Sequence, residues 1–253
     1  MKLGILVETE EGLDWDHWRA TFGAAERLGF DSLWISDHLQ SPSAPERHGL
    51  DPWVALAVAA AETRRVTLGV LVSPIMFREP AIVARMAEAL ADLSQDRFVV
   101  GLGLGWNADE HAAAGIPFPP VRERGERLAR GIERIRRELA DRRIAILVGG
   151  KGRTVLPIVA RYADEWNMTT SSPDDYVAAA GELDRLCRQI GRDPGEIRRS
   201  VAFRLPPGQP AQLADEVKAL QRVGVERAIL GHDDLDDTAA LEVIAEEVMT
   251  KLA

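Results

Sequence analysis

The sequence is poor in the residues that build cross-linked, metal-stabilised or membrane-inserted folds. Cys187 is the only cysteine among 253 residues, which excludes a disulfide framework and a cysteine-based zinc site. No apolar run approaches the ~20 residues that a membrane-spanning helix needs. Basic residues are outnumbered, and a formal net charge of -9 repels nucleic acid and anionic lipid. We therefore predict no metal site, no nucleic-acid partner and no membrane partner.

The length of the chain suffices for one large hydrophobic core. A chain of 253 residues buries roughly three quarters of its unfolded surface, so it needs neither disulfides nor metal. No linker or shift in composition divides it, and we predict a single domain over residues 1–253. The N-terminus enters an apolar run directly rather than a signal peptide, which favours a cytoplasmic location. Apolar positions on the predicted outer helices hint at a homodimer.

Short apolar runs alternate with amphipathic segments along the whole chain. The eight predicted strands share this short, apolar pattern, and they are Leu3–Val7, Asp31–Ser36, Val66–Val72, Phe98–Leu102, Ile144–Val148, Asp164–Met168, Arg198–Phe203 and Val225–Leu230. Eight strand–helix units in 253 residues predict an α/β fold, a (β/α)8 barrel. An open doubly wound sheet is the alternative. It usually has fewer strands, and the turn after the first strand is acidic and lacks the G-x-G-x-x-G pattern.

Three alternating glycines follow the fourth predicted strand, in the sequence FVVGLGLGWNADE from Phe98 to Glu110. Gly101, Gly103 and Gly105 remove side chains where a ligand or another backbone segment comes close. The residues alone leave two interpretations open, a tight barrel corner and one wall of a cofactor site.

The same stretch is predicted to continue without a helix as far as Pro120, which makes it the longest irregular segment of the chain. Loops of that length are usually functional or disordered. Trp106, Ile116 and Phe118 are large apolar residues that favour an ordered, functional loop.

In a barrel of this class the chemistry belongs to the loops that leave the C-terminal ends of the strands, an end that we call the mouth. Asp37 and His38 follow the second predicted strand; His38 is either a proton donor near neutral pH or a histidine that caps a loop.

The turn GGKGRT, Gly149 to Thr154, offers backbone N–H groups, two cations and a hydroxyl that suit a phosphate. Its alternative is a solvated basic turn.

Four segments, in order, resemble the bacterial luciferase-like superfamily, in the branch that uses the deazaflavin coenzyme F420. They are DSLWISDHL, LGVLVSPIMFREPAIVARMAEALADLS, RFVVGLGLGWNADEHAAAGIPFP and VGGKGRTVLPIVARYADEWN, and together they cover more than half of the chain. The sequence WISDHL favours this branch over the FMN monooxygenases, which more often have Glu-His-His at that point.

The resemblance implies an oxidoreductase that transfers hydride between F420 and a small organic substrate, with FMN as the alternative cofactor. It implies that Asp37 and His38 lie near the cofactor ring and that a non-prolyl cis peptide falls between Val70 and Ser73. The predicted catalytic residues are His38, Asp37 and Glu110. The predicted cofactor-binding residues are Val70, Leu71, Val72, Ser73, Gly103, Gly105, Trp106, Asn107, Gly149, Gly150, Lys151, Arg153 and Thr154.

Two departures from the family pattern bear on function. Trp106 stands where the sugar-phosphate dehydrogenase branch has a glutamate thought to act as an acid. This argues against a sugar phosphate as the substrate and leaves His38, Glu110 or water to supply a proton.

Only about Ala140 to Arg143 separates the fourth helix from the fifth strand, where family members carry a long segment that covers the mouth. The mouth is then open, completed by a partner subunit, or catalytically idle. The remaining alternatives are an FMN-dependent monooxygenase and a non-catalytic flavin-binding barrel.

Overall fold

A computed structural model describes residues 1–41, 44, 46–47, 49–140, 142–204, 210–231 and 238–252. Within this part of the chain nine strands form one sheet, and all of their pairings are parallel. The strands are β1 Lys2–Val7, β2 Ser32–Ile35, β3 Thr67–Val70, β4 Ser73–Pro74, β5 Phe98–Gly103, β6 Ala145–Gly149, β7 Glu165–Thr169, β8 Arg198–Arg204 and β9 Arg227–Gly231.

The sheet closes on itself. The strand order is β3-β2-β1-β9-β8-β7-β6-β5-β4, and β3 also pairs with β5, so the first strand of the list meets the last ones. Because β3 and β4 both pair with β5, they occupy one position of the barrel. The result is a closed barrel of eight parallel strand positions, which confirms the predicted (β/α)8 fold.

Helices connect the strands on the outside. They are α1 Trp15–Leu28, α2 Pro52–Glu62, α3 Pro80–Ser94, α4 Ala108–Ala113, α5 Val121–Glu138, α6 Leu156–Tyr162, α7 Pro173–Gln189, α8 Pro210–Arg222, α9 Thr238–Ile244 and α10 Thr250–Leu252. Their starts follow the local sequence: the Asp14 and Asp51 side chains accept hydrogen bonds from free N–H groups of the first turn. No helix in the described ranges combines the length and the apolar character needed to cross a bilayer.

The prediction of a helix-free stretch between the fourth strand and Pro120 is wrong. Helix α4 lies inside it, because the Asn107 side chain accepts hydrogen bonds from the N–H groups of Asp109 and Glu110. Two acidic residues in the first turn also suit the positive end of the helix dipole. A helix of six residues is too short for a hydrophobic period to show in the sequence.

The predicted third strand, Val66–Val72, is not continuous. Strand β3 ends at Val70, the Leu71–Val72 peptide bond is cis, and pairing resumes at Ser73 in β4. The non-prolyl cis bond therefore falls between Val70 and Ser73, as the resemblance implied. Helix α6 begins at Leu156, and a π-helical turn at Ala245–Met249 lies between α9 and α10.

Apolar side chains pack in two layers. The larger cluster lies between the strands and the surrounding helices, and it includes Cys187, which is buried as predicted. A smaller cluster fills the barrel interior around Trp34. The connection from α5 to β6 spans residues 139–144, so the short link predicted there is confirmed.

A buried ion pair closes the end of the barrel opposite the mouth. Arg227, the first residue of β9, donates from Nη1 to both carboxylate oxygens of Glu165, at 2.7 and 2.9 Å, and from Nε to Asp31 at 2.9 Å. Its guanidinium lies 5.5 Å from the ring centroid of Trp34. Arg227 and Glu165 are therefore buried as charge partners, as burial of charge requires.

Candidate active site

The mouth collects side chains from several different loops. All strands are parallel, so the segments that follow β1, β2, β4 and β5 emerge at one end of the barrel. They carry Glu10, Asp37, His38, Arg78 and Glu110. The three predicted catalytic residues are therefore brought to the same end of the fold by backbone topology.

Glu110 and His38 form a hydrogen-bonded pair. The carboxylate of Glu110 is fully buried on α4 and lies 3.0 and 3.2 Å from Nδ1 of His38, and it also accepts from the N–H of Leu39 at 3.1 Å. Within the described part of the chain, Nε2 of His38 has no hydrogen-bond partner. The imidazole thus has one nitrogen held by Glu110 and the other available to a bound molecule.

The charges around His38 favour its protonated form. Burial opposes the imidazolium, but the hydrogen bond to Glu110 and the nearby charges of Glu10, Glu110 and Asp37 outweigh it. The pKa of His38 is consequently raised above its usual value near neutrality. A histidine in this state holds a proton at pH values where an exposed imidazole has lost it.

Asp37 is buried, and only one of its two carboxylate oxygens is satisfied. Its Oδ2 accepts from Nη1 of Arg78 at 2.5 Å and from Nε1 of Trp53 at 3.1 Å. Among the residues that the structure describes, its Oδ1 is buried and has no hydrogen-bond partner. Arg78 also lies 3.6 Å from Asp51 and 3.3 Å from the hydroxyl of Ser73. Burying a carboxylate oxygen without a hydrogen-bond donor costs free energy. Such an oxygen is therefore a candidate acceptor for a bound molecule.

Glu10 is a second buried acid beside His38. It follows β1, and its Oε2 accepts from the hydroxyl of Ser36 at 2.5 Å. Burial raises the pKa of Glu10, and the Ser36 hydrogen bond and the charge of His38 only partly oppose this. Together with Asp37, His38, Arg47 and Arg78 it lines a polar cavity of about 220 Å³.

The bulge after β3 projects into the mouth, and two of the predicted glycines make room for it. A Cβ at Gly103 would lie 2.5 Å from Cγ2 of Val72, and one at Gly149 would lie 3.0 Å from Cγ1. A Cβ at Gly101 would lie 1.7 Å from the carbonyl oxygen of Val70. The alternating glycines therefore accommodate the strand-three bulge. Leu71 and Val72 remain half-buried and form an apolar ledge at the mouth.

Trp106 stands on the rim next to His38. The two ring centroids are 5.5 Å apart in a T-shaped contact, and Trp106 is 67% exposed. Asn107 caps α4 and so helps to place Glu110, and its role toward a cofactor stays a prediction. The structure thus gathers Asp37, His38, Glu110 and Trp106 on one side of the mouth.

The basic turn after β6 is an exposed surface feature. Lys151 and Arg153 are exposed, and Nζ of Lys151 lies 3.8 Å from Asp175 on α7. The backbone at the base of the turn is ordered by hydrogen bonds, since Gly150 donates to Asn167 and accepts from Trp166. Because Gly149 has no side chain, the turn can lie beside Val72. The role of the turn in binding a phosphate stays a prediction.

Sequence reasoning missed Glu10 and did not single out Arg78. Both residues lie in the segments that follow barrel strands, and this position in the sequence could have identified them as candidates. Glu10 looked like part of an acidic, solvated turn, and only the tertiary structure buries it against Ser36. Among the described residues no group of three or more histidine, cysteine or acidic side chains is arranged to hold a metal ion.

Comparison with known proteins identifies the family of the chain. The family model of the luciferase-like monooxygenases matches residues 1–221. The chain is 35% identical to the F420-dependent glucose-6-phosphate dehydrogenase of Intrasporangium calvum over 220 residues, which are 84% of this chain and 60% of that protein. It is 29% identical to the F420-dependent hydroxymycolic acid dehydrogenase of Mycobacterium tuberculosis over 247 residues, 88% of this chain and 66% of that protein.

A solved structure has the same fold. An F420-dependent secondary alcohol dehydrogenase in complex with an F420-acetone adduct superposes with a TM-score of 0.83, covering 100% of this chain and 99% of that chain at 16% identity. The chain spans only 60% to 66% of the length of the two dehydrogenases named above. With the matched family model, the barrel and the cis bulge at the expected place, the chain belongs to the luciferase-like monooxygenase family.

Proposed function

We propose that this protein is an F420-dependent oxidoreductase that transfers hydride between the deazaflavin and a small organic substrate. Its named relatives, F420-dependent dehydrogenases matched over 84% and 88% of this chain, support the cofactor. The observation that carries the proposal is the presence at the same mouth of an apolar ledge, Leu71–Val72, and of His38, whose Nδ1 is held by the buried carboxylate of Glu110.

The residues present fit such a cofactor. Leu71 and Val72 offer a half-exposed apolar surface for a flat ring, and Oδ1 of Asp37 is a buried acceptor that lacks a donor. Lys151 and Arg153 would hold the phosphate with two exposed cations. When bound, F420 supplies a carbon centre that donates or accepts a hydride pair and reacts poorly with oxygen.

The side chains around the mouth have distinct tasks in this proposal. His38 holds a proton on Nε2 that it donates to a substrate oxygen, or it receives one in the reverse direction. Glu110 orients the imidazole through Nδ1 and stabilises its charge. Arg78 holds the Asp37 carboxylate in place through its hydrogen bond to Oδ2. The apolar ledge would keep water away from the reacting atoms, which favours hydride transfer over side reactions.

Two alternatives remain. An FMN-dependent monooxygenase would use the same ledge and phosphate turn. A non-catalytic flavin-binding barrel is favoured by one observation, the short connection of residues 139–144, which leaves the mouth without the cover predicted for family members. The partly unsatisfied Asp37 and the His38–Glu110 pair argue for chemistry instead.

The deciding experiment is a titration of the purified protein with oxidised F420 and, separately, with FMN, followed by cofactor fluorescence. We expect F420 to saturate at or below tens of micromolar. Saturation by FMN alone would assign the monooxygenase alternative. Saturation by neither would remove the enzyme proposal.

Two sets of variants then separate binding from chemistry. Lys151→Ala and Arg153→Ala should both weaken F420 binding; if neither does, the phosphate lies elsewhere. His38→Asn should bind F420 normally, yet lose about 10²- to 10⁴-fold in hydride-transfer rate. A normal rate in this variant would remove His38 from the reaction.

A homodimer and a cytoplasmic location stay predictions. The exposed apolar side chains of Val54 on α2 and Ile82 on α3 support a self-association surface. Size-exclusion chromatography with light scattering tests it, and a monomer at all protein concentrations would contradict it.

A further inference from the structure

We infer that Trp106, Leu39 and His38 form a platform at the rim of the mouth that selects a flat, uncharged, conjugated ring as substrate. This inference rests on the proposed function, because it names the substrate class of the same site. It assigns Trp106 to the substrate, whereas the family resemblance placed this residue at the cofactor.

His38 links the other two residues: its ring contacts Trp106, and it lines the same cavity as Leu39, the next residue in the chain. Trp106 is 67% exposed and Leu39 is 45% exposed, and His38 lies next to both. The carboxylate of Glu110 accepts hydrogen bonds from the imidazole of His38 and from the N–H of Leu39, so a single buried group holds two of the three. Exposed large apolar residues that adjoin a candidate proton donor mark a recognition surface better than isolated ones do.

The backbone that carries Trp106 is rigid on both sides. Gly105 precedes it with φ of 75°, and a Cβ there would lie 3.2 Å from both His111 and Pro74. Asn107 follows it, caps α4, and accepts at 2.8 Å from Nδ1 of His111. The indole itself stays out of the core. An aromatic side chain on a fixed backbone loses little freedom when a ligand stacks on it, which favours binding.

The charges near this rim select against anions. Arg78 is paired with Asp37 at 2.5 Å and with Asp51 at 3.6 Å, and Arg47 is paired with Glu11 at 2.9 Å. Within the described ranges, both arginines of the cavity are thus engaged, while Glu10 adds a carboxyl group. A phosphate or carboxylate beside Trp106 would face the carboxyl groups of Glu10 and Asp37, and the charge of His38 is already matched by the buried Glu110. An uncharged conjugated ring needs only the indole face and one donor, Nε2 of His38.

The test uses F420-saturated protein and three small probes in calorimetric titrations. 2-Naphthamide is flat and uncharged, 2-naphthoate has the same ring system with a negative charge, and cyclohexanecarboxamide is uncharged but not flat. We expect 2-naphthamide to bind at least about tenfold more tightly than the other two. Equal or tighter binding of 2-naphthoate would overturn the uncharged class, and equal binding of cyclohexanecarboxamide would overturn stacking.

Variants assign the effect to one side chain. Trp106→Ala should weaken 2-naphthamide binding about tenfold or more, whereas Trp106→Phe should weaken it less than about threefold because a stacking face remains. Trp15→Ala removes an exposed tryptophan on α1 and is the matched control, with no change expected. Unchanged binding in Trp106→Ala would overturn the inference.

Failure of the inference and failure of the proposed function give different results. The F420 affinity of wild type and Trp106→Ala is measured in parallel by fluorescence and should be the same. If Trp106→Ala loses F420 affinity about tenfold, Trp106 belongs to the cofactor site, which overturns this inference and leaves the proposed function intact. If wild type does not bind F420 at all, the proposed function fails, and this inference fails with it.

Discussion

The two ends of the barrel both bury charged side chains, and they treat them differently. At the closed end Arg227 is 1% exposed, and its nitrogens meet both oxygens of Glu165 and one of Asp31. At the mouth Asp37 keeps one oxygen unsatisfied, and the pKa values of Glu10 and His38 are both raised. Arg227, Glu165 and Asp37 are buried to a similar extent, but of these three described residues only Asp37 has a side-chain oxygen without a hydrogen-bond partner.

The difference separates stability from function. Fully paired charges contribute to a unique fold, whereas partly satisfied ones are expected where a bound molecule completes the set. The closed end should therefore fail by unfolding when a partner is removed. Removal of a partner at the mouth should instead lower activity or the proton affinity of a neighbouring group before it unfolds the protein. The predictions below test this contrast, from the largest expected effect to the smallest.

Arg227→Leu should lower the free energy of unfolding by ~3–5 kcal/mol, because it leaves Glu165 buried without its main partner. Urea denaturation followed by circular dichroism measures the change. Arg198→Leu is the matched control: Arg198 lies 3.5 Å from the same glutamate but is 43% exposed, so we expect less than about 1 kcal/mol. Equal losses in the two variants would contradict the argument from burial.

Glu110→Gln should lower stability by ~1–3 kcal/mol and lower the pKa of His38, because the imidazolium loses its charged acceptor. NMR titration of the His38 ring measures the pKa. Since the folded pKa of His38 is raised, its stabilising contribution is present below the unfolded pKa and is lost as pH rises through the folded value. The wild type should therefore exceed the variant more at about pH 5.5 than at about pH 8.5.

Asp109→Asn controls for the loss of one negative charge on the same helix, because Asp109 is exposed. It should leave the His38 titration curve in place. A His38 pKa that is identical in wild type and Glu110→Gln would mean that the pair seen in the structure does not govern the proton.

Glu10→Gln should stabilise the protein at neutral and alkaline pH. The folded pKa of Glu10 is raised by burial, so its contribution is present below the unfolded pKa and is lost as pH rises through the folded one. The variant keeps an acceptor for Ser36 without a buried charge. Thermal unfolding across pH measures the difference, which should shrink on acidification. Glu62→Gln, an exposed site on α2, is the control, and a Glu10→Gln variant less stable than wild type at pH 7.5 would disprove the prediction.

Lys151→Ala should change the free energy of unfolding by less than about 0.5 kcal/mol, because its ion pair with Asp175 is long and exposed. Chemical denaturation at low and high salt measures this. Lys151→Met, which keeps the apolar stem, controls for packing. A loss above about 1 kcal/mol would show that the basic turn is part of the stability framework and would weaken its assignment to a phosphate.

The sequence alone predicts most of the scaffold. The eight strands follow from short apolar runs that alternate with amphipathic segments. These signals are local, so one chain segment contains all that is needed to read them. The position of the cis bond and the choice of His38 came from resemblance to a family, because neither has a periodic or propensity signal of its own.

The tertiary structure alone decides the environment of the charges. Glu10 and Lys151 both lie in polar turns after strands, yet one is buried against Ser36 and the other extends toward solvent. The contact of Glu110 with His38 joins residues 72 positions apart, and the one of Arg227 with Asp31 joins residues 196 apart. Burial and pairing depend on such distant segments meeting. The hydrophobic periodicity of the sequence therefore determined the barrel. Only the closure of the barrel determined which acidic side chains are buried, which are paired and which can take part in chemistry.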